Sequence, residues 1–233
     1  MPEALKRKVA VMGSRSVGKS SLVARYVDGP AQEIDSYHPT IEQVKHKKVS
    51  FAGRDFDIEV VDTAGQDSSS FFPLKYAVGV HGYVMVYSIT NRASFDLVQT
   101  IYDKMLEQTG AEWAPCVIVG NKSDLNGNRA VPTAEAKAFA QRIKAPFVET
   151  SAVKNDKIDE PVQSLLAEIW KSEGNVLPSA AAPAKATGGS WFGTPDNHIS
   201  PIIAQATPLE PWLLEALSII FVQQLSPLVL CNL

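Results

Sequence analysis

The stretch Gly13-Ser14-Arg15-Ser16-Val17-Gly18-Lys19-Ser20 decides the fold. Its spacing is G-x-x-x-x-G-K-S. The apolar run Val9-Ala10-Val11-Met12 precedes it, and the amphipathic stretch Ser21 to Val27 follows. Strand, glycine-bounded loop and helix are the context in which this pattern wraps a polyphosphate with inward-pointing backbone N–H groups. Glycines at both ends permit positive φ and close approach of the backbone. A helix starting near Gly18 aims its free N–H groups and the positive end of its dipole at the same anion. Ser14, Arg15, Ser16, Val17, Gly18 and Ser21 form the expected cradle. Lys19 is placed to reach the β- and γ-phosphates, and the Ser20 hydroxyl to bind Mg²⁺. The bland competitor is an ordinary strand–turn–helix carrying a chance lysine, and the remaining motifs count against it.

On either side of this loop, residues 6–12 read as a buried strand, and Gly29-Pro30 stops the helix that follows. Residues 43–51 and 54–61 read as two strands joined at Ala52-Gly53, a hairpin. Phe56 to Val61 alternates apolar and acidic side chains, which predicts a strand with one face buried. Further strands are expected at 82–89, 116–120 and 146–150. Helices are expected at 94–108, at 133–143 with Thr133 as N-cap, and at 158–171. Apolar strands alternating with helices predict an α/β fold: a six-stranded, mostly parallel sheet covered by helices on both faces. In such sheets ligands bind outside the carboxyl ends of the strands. Four polar signatures, at 13–20, 62–66, 121–124 and 151–152, each follow a strand directly, so they converge on one rim.

Each signature has a chemical reading. Asp62, opening Asp62-Thr63-Ala64-Gly65-Gln66, suits a Mg²⁺-holding acid, although a lone Asp at a strand end is more often a cap. Gly65 allows a backbone N–H to approach a γ-phosphate, and Gln66 is the residue type that orients an attacking water. Thr40 is a candidate sensor: its hydroxyl completes the Mg²⁺ shell only while a γ-phosphate holds the loop closed. On its own an ordinary Pro-Thr turn would be the better reading of Pro39-Thr40; with Ser20 and Asp62 it becomes the weaker one. Asn121-Lys122-Ser123-Asp124 selects the base, because the Asp124 carboxylate can accept from guanine N1–H and the exocyclic amine while adenine offers the wrong pattern. A site built on such bonds discriminates by roughly 10⁴–10⁵. Lys122 would pack along the nucleotide and Asn121 would tie the rim loops. Ser151-Ala152-Val153 would bring backbone N–H toward the guanine O6 edge. This set favours GTP over ATP and argues against an ATP-dependent enzyme. The expected ligands are therefore GTP/GDP and Mg²⁺, with Ser20, Thr40 and Asp62 on the metal.

The 233 residues suffice for one domain of ordinary size plus an appendage. A net charge of −3 removes the electrostatic case for nucleic acid. Two cysteines, Cys116 and Cys231, exclude a disulfide scaffold and suit a reducing compartment. The basic start lacks the apolar core of a signal peptide, and Pro2 excludes N-myristoylation. After Gly174 the only Lys or Arg is Lys185, and seven of the 15 prolines lie there, which marks a change of sequence type. The expected organisation is a nucleotide-binding domain over 1–173, a linker of disordered composition over 174–211, and an apolar segment over 212–233. The apolar segment is near the roughly 20 residues needed to span a bilayer. Glu215 would cost on the order of 2–3 kcal/mol if central, and Pro227 would kink a helix. A tail anchor and an interfacial helix stay open, but the bland readings are favoured over both: a sticky tail of disordered composition, or a C-terminus that does not belong to the functional product.

These residues resemble the Ras superfamily of small GTPases, and within it the Rheb group. The likeness rests on Gly13 to Leu22, on Asp35-Ser36-Tyr37 with Pro39-Thr40-Ile41-Glu42, on Val61 to Asp67, and on Phe72-Pro73, Val119 to Lys122 and Ser151-Ala152. It covers about 5–172. Arg15 stands where most Ras relatives carry glycine. The resemblance implies a monomeric GTP-hydrolysing switch with slow unaided turnover. It implies a GTPase-activating protein like the tuberous sclerosis complex, a TOR kinase complex as effector, and an effector surface at residues 36–46. The expected location is cytoplasmic, with the cytosolic face of endomembranes as the alternative to a membrane-free form, and membrane association is left open. The resemblance also implies that Tyr37 covers the nucleotide and restrains hydrolysis, so that Gln66, Tyr37 and Thr40 share the catalytic roles; a slow or non-hydrolysing GTP-binding module is the alternative. The chain departs from the family pattern in four places. The Ser20–Thr40 spacing is two residues longer than usual, Glu33 replaces a guanine-flanking aromatic, His38 replaces an acid, and Val153 replaces a lysine. The family's C-terminal prenylation box is also not matched, since only two residues follow Cys231.

Overall fold

In the computed structural model, residues 4–30, 40–67 and 72–175 are described. The elements in chain order are β1 Leu5–Met12, α1 Lys19–Asp28, β2 Glu42–Phe51, β3 Arg54–Thr63, β4 Gly82–Ser88, α2 Arg92–Thr109, β5 Cys116–Asn121, α3 Thr133–Arg142, β6 Phe147–Thr150 and α4 Glu160–Ser172. Short 3-10 segments span Leu74–Tyr76 and Ser123–Asn128. One six-stranded sheet has the order β2-β3-β1-β4-β5-β6. Only β2 runs antiparallel, paired with β3. The expected architecture is therefore observed.

Why these residues form a two-sided sheet is visible in β1. Successive side chains of a strand point to opposite faces. Val9 and Val11 join one core with Val84, Val117, Leu165 and Trp170. Ala10 and Met12 join the other with Met85, Phe95, Ile118 and Phe139. Both faces are dry, so the strands read as continuous apolar runs. Gly82 lets α4 approach: a Cβ there would lie 2.9 Å from Leu165 Cδ1 and 3.0 Å from Ile169 Cδ1. The hairpin turn places Ala52 at φ +52° and Gly53 at φ +75°. Positive φ at both central residues matches the right-handed twist of the flanking strands.

Three local expectations are corrected. Thr133 is not the N-cap of α3. Pro132 occupies that place with extended backbone, and Thr133 opens the helix with its hydroxyl donating to Glu149 Oε1 at 2.9 Å. The last helix starts at Glu160 rather than 158. Asn155 and Lys157 sit at φ +54° and +52°, which delays helical backbone, and Pro161 then suits the first turn because its missing N–H is not needed there. α2 starts two residues before its expected bound, with the Asn91 side chain accepting from Ser94 N–H at 3.2 Å and Gly110 closing it at φ +65°. Among the described residues no helix is long and apolar enough to cross a membrane. The expected linker and apolar segment lie almost wholly outside the described residues.

Leu165 is fully buried between α4 and the sheet. Leu165→Ala should lower unfolding free energy by about 2–5 kcal/mol, measured as a reduced urea midpoint at unchanged m-value.

Candidate nucleotide-binding site

The loop between β1 and α1 can close only because of its glycines. Gly13 lies at φ +141°, and a Cβ there would sit 2.1 Å from the Val86 carbonyl oxygen. Gly18 lies at φ +93°, and a Cβ would sit 2.3 Å from Asn121 Nδ2. The helix proper begins at Lys19, so the first N–H groups of α1 have no intrahelical acceptor and face the loop. Lys19 is buried and arches back, donating from Nζ to the carbonyls of Gly13 at 3.0 Å and Ser14 at 2.8 Å. Burial pulls its ammonium down to about 8, with Asp62 drawing it back up.

Asp62 is the last residue but one of β3 and is 1% exposed. Burial pushes its carboxyl above the usual range, while the Ser20 hydroxyl, Lys19 and Lys45 pull the other way. Its Oδ1 is buried without a hydrogen-bond partner. The Ser20 and Thr40 hydroxyls meet at 2.8 Å. Among the described residues no three His, Cys, Asp or Glu side chains cluster. One carboxylate with two hydroxyls is instead the donor set of a Mg²⁺ that takes its other ligands from phosphate and water. The orphaned Asp62 oxygen fits that ion.

Asn121 is buried and ties the ends of β5 and β6 to the loop after β1. Its amide donates to Val17 O at 2.9 Å and Gly18 O at 3.4 Å, and its carbonyl accepts from Thr150 Oγ1 at 3.2 Å. Lys122 takes a left-handed conformation, φ +66°, and donates to Ser16 O at 2.7 Å. Asp124 Oδ1 accepts from Ser151 Oγ at 2.5 Å, and the same Ser151 oxygen accepts the Lys154 N–H at 3.0 Å. The sequence-predicted phosphate and base residues therefore meet on one rim.

Three placements differ from a plain reading of the motifs. Gln66 is turned onto the loop: its Oε1 accepts the Gly13 N–H at 3.1 Å, and its Nε2 faces Met12 Sδ at 3.5 Å. Gly65 is packed against Arg15, where a Cβ would lie 2.3 Å from the Arg15 Cγ. Val153 is 68% exposed. Tyr37, Glu33 and His38 lie outside the described residues. Contacts that sequence reasoning missed include Arg25, whose Nε donates to Ala152 O at 3.1 Å. They also include Glu42, which accepts from both Lys75 Nζ and Tyr76 OH. Those two donors hold the Glu42 carboxyl below its usual range, the Lys75 hydrogen bond first. Neither contact has a signature in the local pattern.

A parallel sheet whose strand ends carry a glycine-bounded lysine loop, a buried aspartate and an Asn-Lys-x-Asp loop defines a P-loop GTPase domain. The Ras family model matches residues 8–171. The chain is 47% identical over 165 residues to the GTP-binding protein rhb1 of Schizosaccharomyces pombe, covering 71% of this chain and 88% of that one. It is 46% identical over 169 residues to the Rheb homolog of Drosophila melanogaster, covering 72% and 92%. It is 40% identical over 174 residues to human GTP-binding protein Rheb, covering 75% and 94%. The chain belongs to the Ras family, and its likeness there is to the Rheb proteins; it is a small GTPase that binds GTP and GDP and hydrolyses GTP.

Gly13→Ala should abolish retention of guanine nucleotide, because the new methyl meets the Val86 carbonyl. Gly29→Ala, also at positive φ but with no atom within 4 Å of its Cβ, should retain it. Nucleotide content of the purified proteins, read by chromatography, checks the pair.

Proposed function

We propose that the rim binds Mg²⁺–GTP and that its GTP form signals as the Rheb likeness suggests, to a TOR kinase complex, with a GTPase-activating protein like the tuberous sclerosis complex ending the signal. The observation that carries the nucleotide reading is the Asn121 amide, which fastens the base-selecting loop to the phosphate loop. The cradle is Ser14 to Ser21, with Lys19 on the phosphates. Asp124 would read the guanine N–H edge while Ser151 orients its carboxylate, and the backbone of Ser151, Ala152 and Val153 would face O6. Ser20, Thr40 and Asp62 would hold Mg²⁺, which supplies neutralisation of the charge developing on the transferred phosphoryl group.

Slow unaided turnover is favoured by the placement of Gln66, whose side-chain oxygen is engaged by the Gly13 N–H. Tyr37 and Thr40 are proposed to close over the nucleotide. Support for effector docking at 36–46 comes from its described part. Ile41 and Val44 are exposed apolar side chains, and Glu42 in the same stretch accepts from Lys75 and Tyr76, whose chain neighbours Leu74 and Val78 are exposed too. We further propose a cytoplasmic location, at the cytosolic face of endomembranes.

Asp124→Asn should shift preference from guanine to xanthine nucleotides. Unchanged preference would refute the base assignment. Lys19→Ala and Ser20→Asn should each abolish tight Mg²⁺-nucleotide binding, measured by fluorescent-nucleotide titration. Single-turnover hydrolysis should be slow alone and strongly accelerated by a GTPase-activating domain. Ras gains about 10⁵-fold from such a partner, and a flat response here would favour a non-hydrolysing module.

A further inference from the structure

Arg25 sits on α1, the same helix that carries Lys19 and Ser20. Its guanidinium spans two carbonyls: Nε donates to Ala152 O at 3.1 Å, and Nη1 donates to Pro30 O just past the helix end. The loop it reaches is otherwise anchored at Ser151. There the backbone exchanges both hydrogen bonds with Asp156, at 3.1 and 2.9 Å, and the hydroxyl serves Asp124 and the Lys154 N–H. The next peptide, Ala152–Val153, has only Arg25 as a hydrogen-bond partner among the described residues. The Val153 side chain points into solvent and supplies no anchor. A trans peptide directs its C=O and N–H to opposite sides. Fixing the Ala152 oxygen on the α1 side therefore fixes the Val153 N–H on the other.

We propose that Arg25 is a positioning residue for base recognition, locking the Ala152–Val153 peptide to the phosphate-binding helix so that the loop's backbone N–H groups meet the 6-oxo group of a purine nucleotide. The inference rests on the reading that 151–153 faces guanine. Because one helix carries both Arg25 and the phosphate-contacting residues, the distance between base site and phosphate site is set by a rigid element. The planar guanidinium suits this task, since its donors lie in a fixed fork.

The test compares full-length Arg25→Met and Arg25→Lys with the unsubstituted chain, measuring affinity for GDP and for 2-aminopurine riboside 5′-diphosphate. The analogue keeps the phosphates and the 2-amino group and lacks the 6-oxo group together with the N1–H, a loss common to every variant compared. Arg25→Met should weaken GDP roughly tenfold while moving the analogue less than about twofold, as expected for loss of one backbone hydrogen bond to the 6-oxo group. Arg25→Lys keeps a donor and should restore part of the discrimination, which also guards against a variant that merely folds badly. Equal losses for both nucleotides, or no loss for either, would overturn the proposal. The base-site reading fails separately, if Asp124→Asn leaves the guanine preference unchanged.

Discussion

A single buried amide fixes the geometry of the rim. Asn121 comes off β5 and donates to the loop after β1, while its own carbonyl accepts from Thr150 at the end of β6. The Thr150 hydroxyl sets which end of the amide faces which way: with the oxygen engaged there, the NH₂ must face Val17 and Gly18. Removing the side chain would leave the Val17 carbonyl without this donor, and an unpaired buried polar group costs about 1–3 kcal/mol. Gly18 is glycine for two reasons at once, its backbone angle and the space that this amide occupies.

The phosphate end carries the opposite kind of constraint. Lys19 and Asp62 are both buried, and burial pushes each toward its neutral form. Each partly offsets the other's desolvation, but neither is fully satisfied. Lys19 leans on two carbonyls, and Asp62 keeps one oxygen without a partner. Anionic phosphate and a divalent cation answer these two needs in one ligand, since buried charges are stabilised when paired and hydrogen-bonded. The site is thus poised electrostatically by the same burial that would otherwise destabilise it.

The sheet was legible because a two-sided parallel core demands unbroken apolar runs, and Val9–Met12, Tyr83–Tyr87 and Cys116–Val119 are such runs. The rim was legible because polar signatures directly after strands must lie together. Helix starts were less so. Thr133 looks like a cap, yet the Glu149 carboxylate on a neighbouring strand claims its hydroxyl, and Pro132 takes the capping place. Contacts across the chain left no local trace at all: Arg25 to Ala152 spans 127 positions, and Glu42 to Tyr76 spans 34. The residue type of Gln66 could be read from its motif, but its direction, toward Gly13, could not. Side-chain aim is decided by what packs beside it.

The strand order bears on how the chain comes off the ribosome. β1 is made first and lies between β3 and β4, pairing Val9 with both Val60 and Gly82. One hydrogen-bonding edge therefore waits, unpaired, until β3 is made, and the other until β4 is made. Unpaired strand edges with exposed apolar surface are the species that aggregate. The β2–β3 hairpin is local and can form before its neighbours, offering β3 as the first template to which β1 can dock. The central strand of the finished domain is thus the one whose newborn state depends longest on chain still to be translated.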